Sequence, residues 1–175
     1  MYAVGKLASE HYLKIFHRYG ISSTSLRLFN TYGPGQNMSN LRQGMVSIYL
    51  AQALEKGHVV VKGSEDRFRD LVYIDDVCRV VDHFVKNQTP GPEIYNVCTG
   101  LKTTVSTLIN SIKESIGNET LSVEYTQGTP GDQFGIVGNN AKLRKDIKRH
   151  DDFLGEKDFI DISTGIKCFV DSLKL

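Results

Sequence analysis

At 175 residues the chain suits one medium domain or slightly more, and 40% apolar residues can fill a core. Lys plus Arg number 21 against 20 Asp plus Glu, a formal net charge of +1, so no global field recruits nucleic acid or an anionic membrane. No apolar run reaches bilayer-spanning length, and Met1-Tyr2-Ala3-Val4 lacks the basic and apolar regions of a signal peptide. Cys78, Cys98 and Cys168 fit neither a disulfide framework nor a zinc spacing, which leads us to expect reduced, buried thiols in a cytoplasmic protein.

Apolar spacing at Ala8, Tyr12, Ile15, Phe16 and Tyr19 predicts a helix over Tyr2–Tyr19, stopped by Gly20. Ser25–Phe29 reads as a short strand that ends in the loop Asn30-Thr31-Tyr32-Gly33-Pro34-Gly35. Val46, Leu50, Ala53 and Leu54 make the next helical stripe, closed by Gly57, and strands are expected at Val59–Val61 and Leu71–Ile74. Asp75 or Asp76 should cap a helix carrying Val77, Val80, Val81, Phe84 and Val85. Pro90-Gly91-Pro92 interrupts the chain before a strand at Ile94–Val97. Thr103 or Thr104 then caps a helix with Val105, Leu108, Ile109, Ile112 and Ile116 on one side. A strand at Val123–Tyr125, a glycine-rich loop over Gly128–Gly138, and helices near Ala141–Ile147 and Ser163–Leu173 complete the pass. Alternating helices and strands argue for an α/β architecture with parallel pairing. The opening helix has no preceding strand to pack on, so part of a fold is expected.

Tyr2 and Lys6 stand four apart and therefore share a helix face. An ammonium beside a phenol favours the phenolate, and such a tyrosine can exchange a proton with a sugar hydroxyl during hydride transfer. Taken alone, the pair is equally consistent with an exposed helix start and an incidental lysine. Asp75-Asp76 precedes an apolar helical stripe, so capping and dipole stabilisation account for it better than metal or acid/base work. His11, His17, His58, His83 and His150 show no ligand spacing, and the mixed-sign run Lys142–Arg149 reads as a solvated helix face.

Four motifs occur in order: Tyr2-Ala3-Val4-Gly5-Lys6, Leu26-Arg27-Leu28-Phe29-Asn30-Thr31-Tyr32-Gly33-Pro34-Gly35, Phe68-Arg69-Asp70-Leu71-Val72-Tyr73-Ile74-Asp75-Asp76-Val77, and Ile94-Tyr95-Asn96-Val97-Cys98-Thr99-Gly100. From Tyr2 to about Lys148 the chain resembles the second half of the extended short-chain dehydrogenases, the family of UDP-glucose 4-epimerase and related dehydratases and decarboxylases. The resemblance implies an α/β fold: the C-terminal half of an incomplete, Rossmann-like doubly wound sheet plus a small α/β substrate-binding domain. Residues 1–35 and 71–100 would belong to the NAD-binding part, and 36–70 and 101–175 to the substrate domain. By the same resemblance Tyr2 is the acid/base, Lys6 holds the nicotinamide ribose, and Phe29 lies beside the nicotinamide. Asn30 would contact the sugar-nucleotide diphosphate, or serve only as a turn residue. Arg69 would fork onto that diphosphate, or pair with Asp70 or Asp66.

The chain also departs from the family. No glycine-rich dinucleotide turn follows a strand, so the adenosine half of NAD has no site in these residues. In Gly128-Thr129-Pro130-Gly131-Asp132-Gln133, Thr129 stands where the family motif often carries a phosphate-gripping arginine; that grip is either missing or supplied by a neighbour such as Gln133. Met45-Val46 replaces an Asn-Leu pair, so backbone groups would hold the nucleotide base. The expected parent is an NAD-dependent nucleotide-sugar 4-epimerase acting through a 4-keto sugar. Its partners would be a nucleotide-diphosphate sugar and a second copy in a homodimer, with no nucleic acid and no membrane. The alternatives are a dehydratase or decarboxylase of the same family, or a non-catalytic truncated remnant or binding module.

Overall fold

The computed structural model describes residues 1–40, 44–150 and 158–173, with the side chains of Arg149 and His150 outside that description. Its elements run α1 (Tyr2–His17), β1 (Ser23–Leu28), β2 (Asn30–Tyr32), α2 (Met45–Lys56), β3 (His58–Lys62), β4 (Phe68–Arg69), β5 (Leu71–Tyr73), α3 (Ile74–Lys86), β6 (Pro92–Val97), β7 (Thr103–Thr104), α4 (Val105–Ile116), β8 (Ser122–Thr126), α5 (Ala141–His150) and α6 (Ile162–Ser172). The pairs β1–β6, β2–β5 and β3–β8 are parallel, and β4–β7 is antiparallel. The α/β class with parallel pairing is therefore observed.

Two apolar clusters hold the elements together. In the first, Leu50 and Ala53 of α2, Val59 and Val61 of β3, Leu108 and Ile112 of α4, and Ile166 and Phe169 of α6 are buried around Tyr32 and Tyr73. In the second, Val77, Val80 and Phe84 of α3 and Leu143 and Ile147 of α5 enclose Val72, Tyr95 and Val97. Burying one such side chain stabilises the fold by about 1.5–3 kcal/mol. Truncating Leu108 to Ala would cost roughly 2–5 kcal/mol, because the cavity left behind adds to the lost transfer energy.

Local chemistry explains several boundaries. Thr104 caps α4 by accepting from the Thr107 amide at 3.1 Å, and Gly117 closes that helix in a left-handed conformation (φ 68°). Asp161 caps α6 through the Thr164 amide at 3.0 Å. Among the described residues no helix is long and apolar enough to cross a membrane.

The structure corrects some expectations. Asn30–Tyr32 is a strand, not a loop: it pairs with β5 in the register Asn30↔Leu71 to Tyr32↔Tyr73, and the two tyrosine rings meet edge-on at 5.6 Å. Long-range pairing there outweighs the turn signal of the following Gly33-Pro34. Asp75 and Asp76 do not cap α3, because β5 feeds straight into the helix and Tyr73 takes the cap position. Both acids sit in the first turn, where the helix dipole favours them. Asp76 is fully buried, pairs with Arg79 and accepts from the Ile160 amide at 2.8 Å; burial raises its carboxyl pKa and these bonds oppose the rise.

The apolar stripe of α3 is narrower than expected, since Val81 and Val85 are exposed while Val77, Val80 and Phe84 are buried. The basic run on α5 also does more than face solvent. Lys142 pairs with Glu93 at 2.6 Å, Arg144 with Asp158 at 2.7 Å, and Asp146 accepts from the Tyr95 hydroxyl at 2.6 Å, which fastens α5 to β6. Of the three thiols only Cys98 is buried, and Cys78 and Cys168 are exposed. Helix α1 buries no residue; it touches β1 and β6 and is tied to β1 by the Glu10–Arg27 pair at 2.7 Å.

Candidate functional site

Parallel pairing brings the end of β1, all of β2 and the start of β5 together, and the first turn of α2 faces them across a cavity of about 720 Å³. Its lining includes Tyr2, Phe29, Asn30, Met45 and Val46, so five of the residues singled out in the sequence meet around one space. Gly44 precedes α2 with φ 91°, a conformation that favours glycine, and lets the chain turn into the helix at the cavity edge.

Tyr2 is 81% exposed at the rim, and the Lys6 Nζ lies 5.4 Å from its ring centroid. One helical turn therefore places an ammonium against the phenol, while Lys6 itself stays outside the lining. Asn30 donates from Nδ2 to the Asp70 carbonyl at 3.3 Å. The strand explains why this residue is fixed: its backbone is held by β5 while its amide reaches across the pair. Gln36, Asn37, Asn40, Thr31 and Ser47 supply further amide and hydroxyl groups to the lining, none of which the sequence singled out. Such groups suit a ligand rich in hydroxyls and carbonyls. Tyr32 also lines the cavity, but burial and the Asp76 and Asp161 charges push its phenol pKa up, so it stays neutral.

Arg69 and Gln133 lie outside the lining. Arg69 pairs with neither Asp70 nor Asp66; its Nη2 reaches Asp132 Oδ1 at 3.3 Å, and its Nη1 donates to the Phe68 carbonyl at 2.8 Å and the Phe134 carbonyl at 3.3 Å. It stands two residues before Leu71, and Phe134 two before Ile136, both of which line the cavity. Gln133 is exposed on the loop, and the cation nearest the Thr129–Asp132 turn is Arg67, whose Nη2 contacts Asp132 Oδ2. A contact spanning 65 residues has no local pattern that could announce it.

Asp70 is a further residue whose role sequence reading missed. Its buried carboxylate accepts four bonds: from the Thr99 amide at 2.8 Å, the Thr99 hydroxyl at 2.6 Å, the Gly100 amide at 3.0 Å and the Gly138 amide at 3.1 Å. It thereby joins β5 to the turn after β6 and to the end of the loop that carries Ile136. A Cβ at Gly138 would strike the Cys98 sulfur and stand 2.6 Å from Phe29 Cζ, so glycine permits this approach.

The nicotinamide end of NAD has Tyr2, Lys6 and Phe29 available. The dinucleotide pyrophosphate has no cradle among the described residues: the two strands that run straight into a helix, β5 into α3 through Tyr73-Ile74 and β7 into α4 through Thr104-Val105, do so with no glycine between them. No group of three or more His, Cys, Asp or Glu among the described residues could hold a metal ion.

A profile described as "NAD dependent epimerase/dehydratase family" matches residues 1–98. The chain is 30% identical over 174 residues to a putative UDP-glucose 4-epimerase of Methanocaldococcus jannaschii, covering 99% of this chain and 53% of that protein. It is 26% identical over 175 residues to UDP-glucuronic acid decarboxylase 3 of Arabidopsis thaliana, covering 99% and 48%. Among solved structures it is similar to the UDP-glucose 4-epimerase of Thermotoga maritima with UDP-glucose, at 28% identity, TM-score 0.81, and coverage of 99% and 53%. The UDP-glucose 4-epimerase of Thermus thermophilus in complex with NAD gives 29% identity, TM-score 0.78, and the same two coverages. The chain thus shares the Rossmann-like α/β fold of these proteins and spans about half the length of the curated relatives it matches.

Proposed function

This chain belongs to the NAD dependent epimerase/dehydratase family, and we propose that it is the carboxy-terminal part of a nucleotide-sugar 4-epimerase that works through a transient 4-keto sugar. The observation that carries this reading is the convergence of Tyr2, Phe29, Asn30, Met45 and Val46 on one cavity of about 720 Å³. A sugar nucleotide is an extended, hydroxyl-rich dianion, and the cavity offers amides and hydroxyls, with Arg69 two residues before the lining residue Leu71.

In this proposal NAD, when bound, supplies the hydride acceptor. The residues of this chain handle the proton and the substrate. Tyr2 takes the proton from the sugar 4-hydroxyl and returns it when the ketone is reduced from its other face. Lys6, one turn away, holds the ribose of the cofactor and keeps positive charge beside the phenol. Phe29 presents an apolar face to the nicotinamide. Asn30 and Arg69 hold the diphosphate, Met45 and Val46 set the first turn of α2 against the nucleotide, and Gln133 is a rim contact. Residues 1–35 and 71–100 form the cofactor-side portion, and 36–70 with 101–175 the substrate-side portion. The exposed apolar residues of α1 suit a homodimer, and three cysteines without a disulfide spacing suit a cytoplasmic setting. With no glycine-rich turn in these residues, the isolated 175-residue chain would bind NAD weakly and not turn over.

The decarboxylase among the relatives keeps a second reading open within the family. Product analysis separates them: incubation of the NAD-loaded full-length parent with UDP-glucose, UDP-glucuronic acid and dTDP-glucose should give C4-inverted sugars. Carbon dioxide release or a 4-keto-6-deoxy product instead would remove the epimerase assignment. A saturable low-micromolar NAD titration of the isolated chain would overturn the claim that its residues cannot hold the dinucleotide.

A further inference from the structure

Two arginine side chains, on the stretch of chain that leads into the lining residue Leu71, converge on one carboxylate. Arg67 is 12% exposed and Arg69 13%, and both contact Asp132, one oxygen each. Two guanidinium groups against one carboxylate leave a formal excess of one positive charge in a mostly desolvated setting. The remaining bonds of the pair go to neutral carbonyls: Arg67 Nη1 to Lys62, and Arg69 Nη1 to Phe68 and Phe134. Arg67 Nε is buried and has no hydrogen-bond partner among the described residues. An excess charge and an unused buried donor on the same group mark incomplete satisfaction, which a bound anion would complete.

The surroundings hold the pair in place. The Arg67 carbonyl accepts from the Val105 amide at 2.8 Å, which fixes its backbone at the start of α4. Asp132 is set by the turn Thr129-Pro130-Gly131-Asp132, closed by the Asp132 amide on the Thr129 carbonyl at 3.1 Å with Gly131 at φ 78°. Asp132 is the most exposed of the three, at 36%, and can yield its place to a competing oxyanion. Tyr49, one turn beyond Met45 on α2, feels both guanidinium charges and that of Asp132, so the three groups lie within electrostatic reach of the helix whose first turn lines the cavity.

We infer that Arg67 joins Arg69 in a two-guanidinium clamp for the diphosphate of a bound nucleotide sugar, with Asp132 as the counter-ion of the ligand-free state. The inference rests on the nucleotide-sugar reading above and adds Arg67 as its affinity-determining residue. A diphosphate diester carries two negative charges and offers several oxygens in a row, which matches two planar forks once Asp132 moves aside. A lone arginine could neutralise only half of that charge.

Calorimetric titration of the 175-residue chain with UDP-glucose, UDP, uridine and inorganic pyrophosphate tests this, using wild type, Arg67→Gln and Arg67→Lys. UDP should bind well above uridine, and Arg67→Gln should weaken UDP roughly 10- to 100-fold, the range for a charge-assisted bond. The variant should also flatten the salt dependence of UDP binding and leave uridine unchanged, which a purely structural role would not do. Arg67→Lys, which keeps the charge but not the fork, should recover part of the affinity and the full salt dependence; it carries the test if Arg67→Gln fails to fold. Wild-type UDP affinity in Arg67→Gln, an equal loss of UDP and uridine, or no binding of UDP or pyrophosphate by wild type would each overturn the clamp. Binding of UDP-glucose that ignores Arg67 sinks the clamp and spares the nucleotide-sugar reading. Arg67-dependent pyrophosphate binding, with no gain from the nucleotide sugar, spares the clamp and sinks that reading.

Discussion

Replacing Asp70 with Asn should separate a hydrogen-bonded hub from a merely buried polar residue. The carboxylate takes the Thr99 amide and hydroxyl on Oδ1 and the Gly100 and Gly138 amides on Oδ2. Asn offers one oxygen and one NH2. Its best orientation keeps the oxygen on the two glycine amides and turns the NH2 to the Thr99 hydroxyl, which can rotate and accept. The Thr99 amide is then left buried without an acceptor, at about 1–3 kcal/mol, and the glycine amides trade a charged acceptor for a neutral one. A total loss of roughly 2–4 kcal/mol follows, a large share of the 5–15 kcal/mol that holds a domain of this kind together. Because Gly138 closes the loop that brings Ile136 to the cavity, ligand affinity should fall as well. Urea unfolding followed by far-ultraviolet circular dichroism gives the stability, and UDP titration the affinity. A stability change within about 0.5 kcal/mol of wild type would show that the four bonds contribute nothing net, and the hub would be no hub.

Gly165→Ala on α6 sets two effects against each other: helix propensity gains about 1 kcal/mol, but the new Cβ lands on the Tyr32 hydroxyl, with Tyr73 Cδ2 at 3.2 Å. Overpacking costs typically 1–3 kcal/mol and should win; removing the oxygen by Tyr32→Phe in the same chain should restore stability, and a stabilised single mutant would refute the close approach. Asp161→Ala removes the cap of α6 and should cost about 1 kcal/mol at neutral pH. Bonds from the Thr164 amide and hydroxyl hold the Asp161 carboxyl below its ordinary pKa, so its contribution is complete above about pH 4 and fades as pH falls through the folded value. Unfolding curves from pH 7 down to pH 3 should converge for the two proteins, and a gap that widens on acidification would contradict the sign. Thiol labelling should find Cys78 and Cys168 at once and Cys98 only on unfolding, since burial pushes the Cys98 thiol up to about 11; three fast-reacting thiols in the native protein would refute its burial.

Much of this was legible because the signals were local. The Tyr2–Lys6 spacing places both groups on one face through helix geometry alone, and Thr104 before an apolar stripe announced a cap. The resemblance singled out Phe29, Asn30, Met45 and Val46, and the structure sets all four around one cavity. What sequence could not show depends on residues far apart in the chain. Asn30–Tyr32 becomes a strand only because Leu71–Tyr73 lies beside it. Asp70 looks like any acid next to an arginine until Thr99, Gly100 and Gly138 close over it. Asp76 reads as a cap because helix starts vary by a residue or two, whereas its burial is set by Ile160, 84 residues on. Arg67 carried no signal, since its partner Asp132 arrives from another loop.

Proton NMR of C4 inversion decides whether the chemistry assigned to Tyr2 is right. UDP-galactose would be incubated with the NAD-loaded full-length parent and with its Tyr2→Phe variant, which keeps the ring beside Lys6 but removes the hydroxyl. Wild type should convert it to UDP-glucose, and the variant should be slower by at least about 100-fold, the low end of what a positioned acid/base supplies. Inversion at near wild-type rate by Tyr2→Phe would contradict the role of Tyr2 and the chemistry assigned to this cavity.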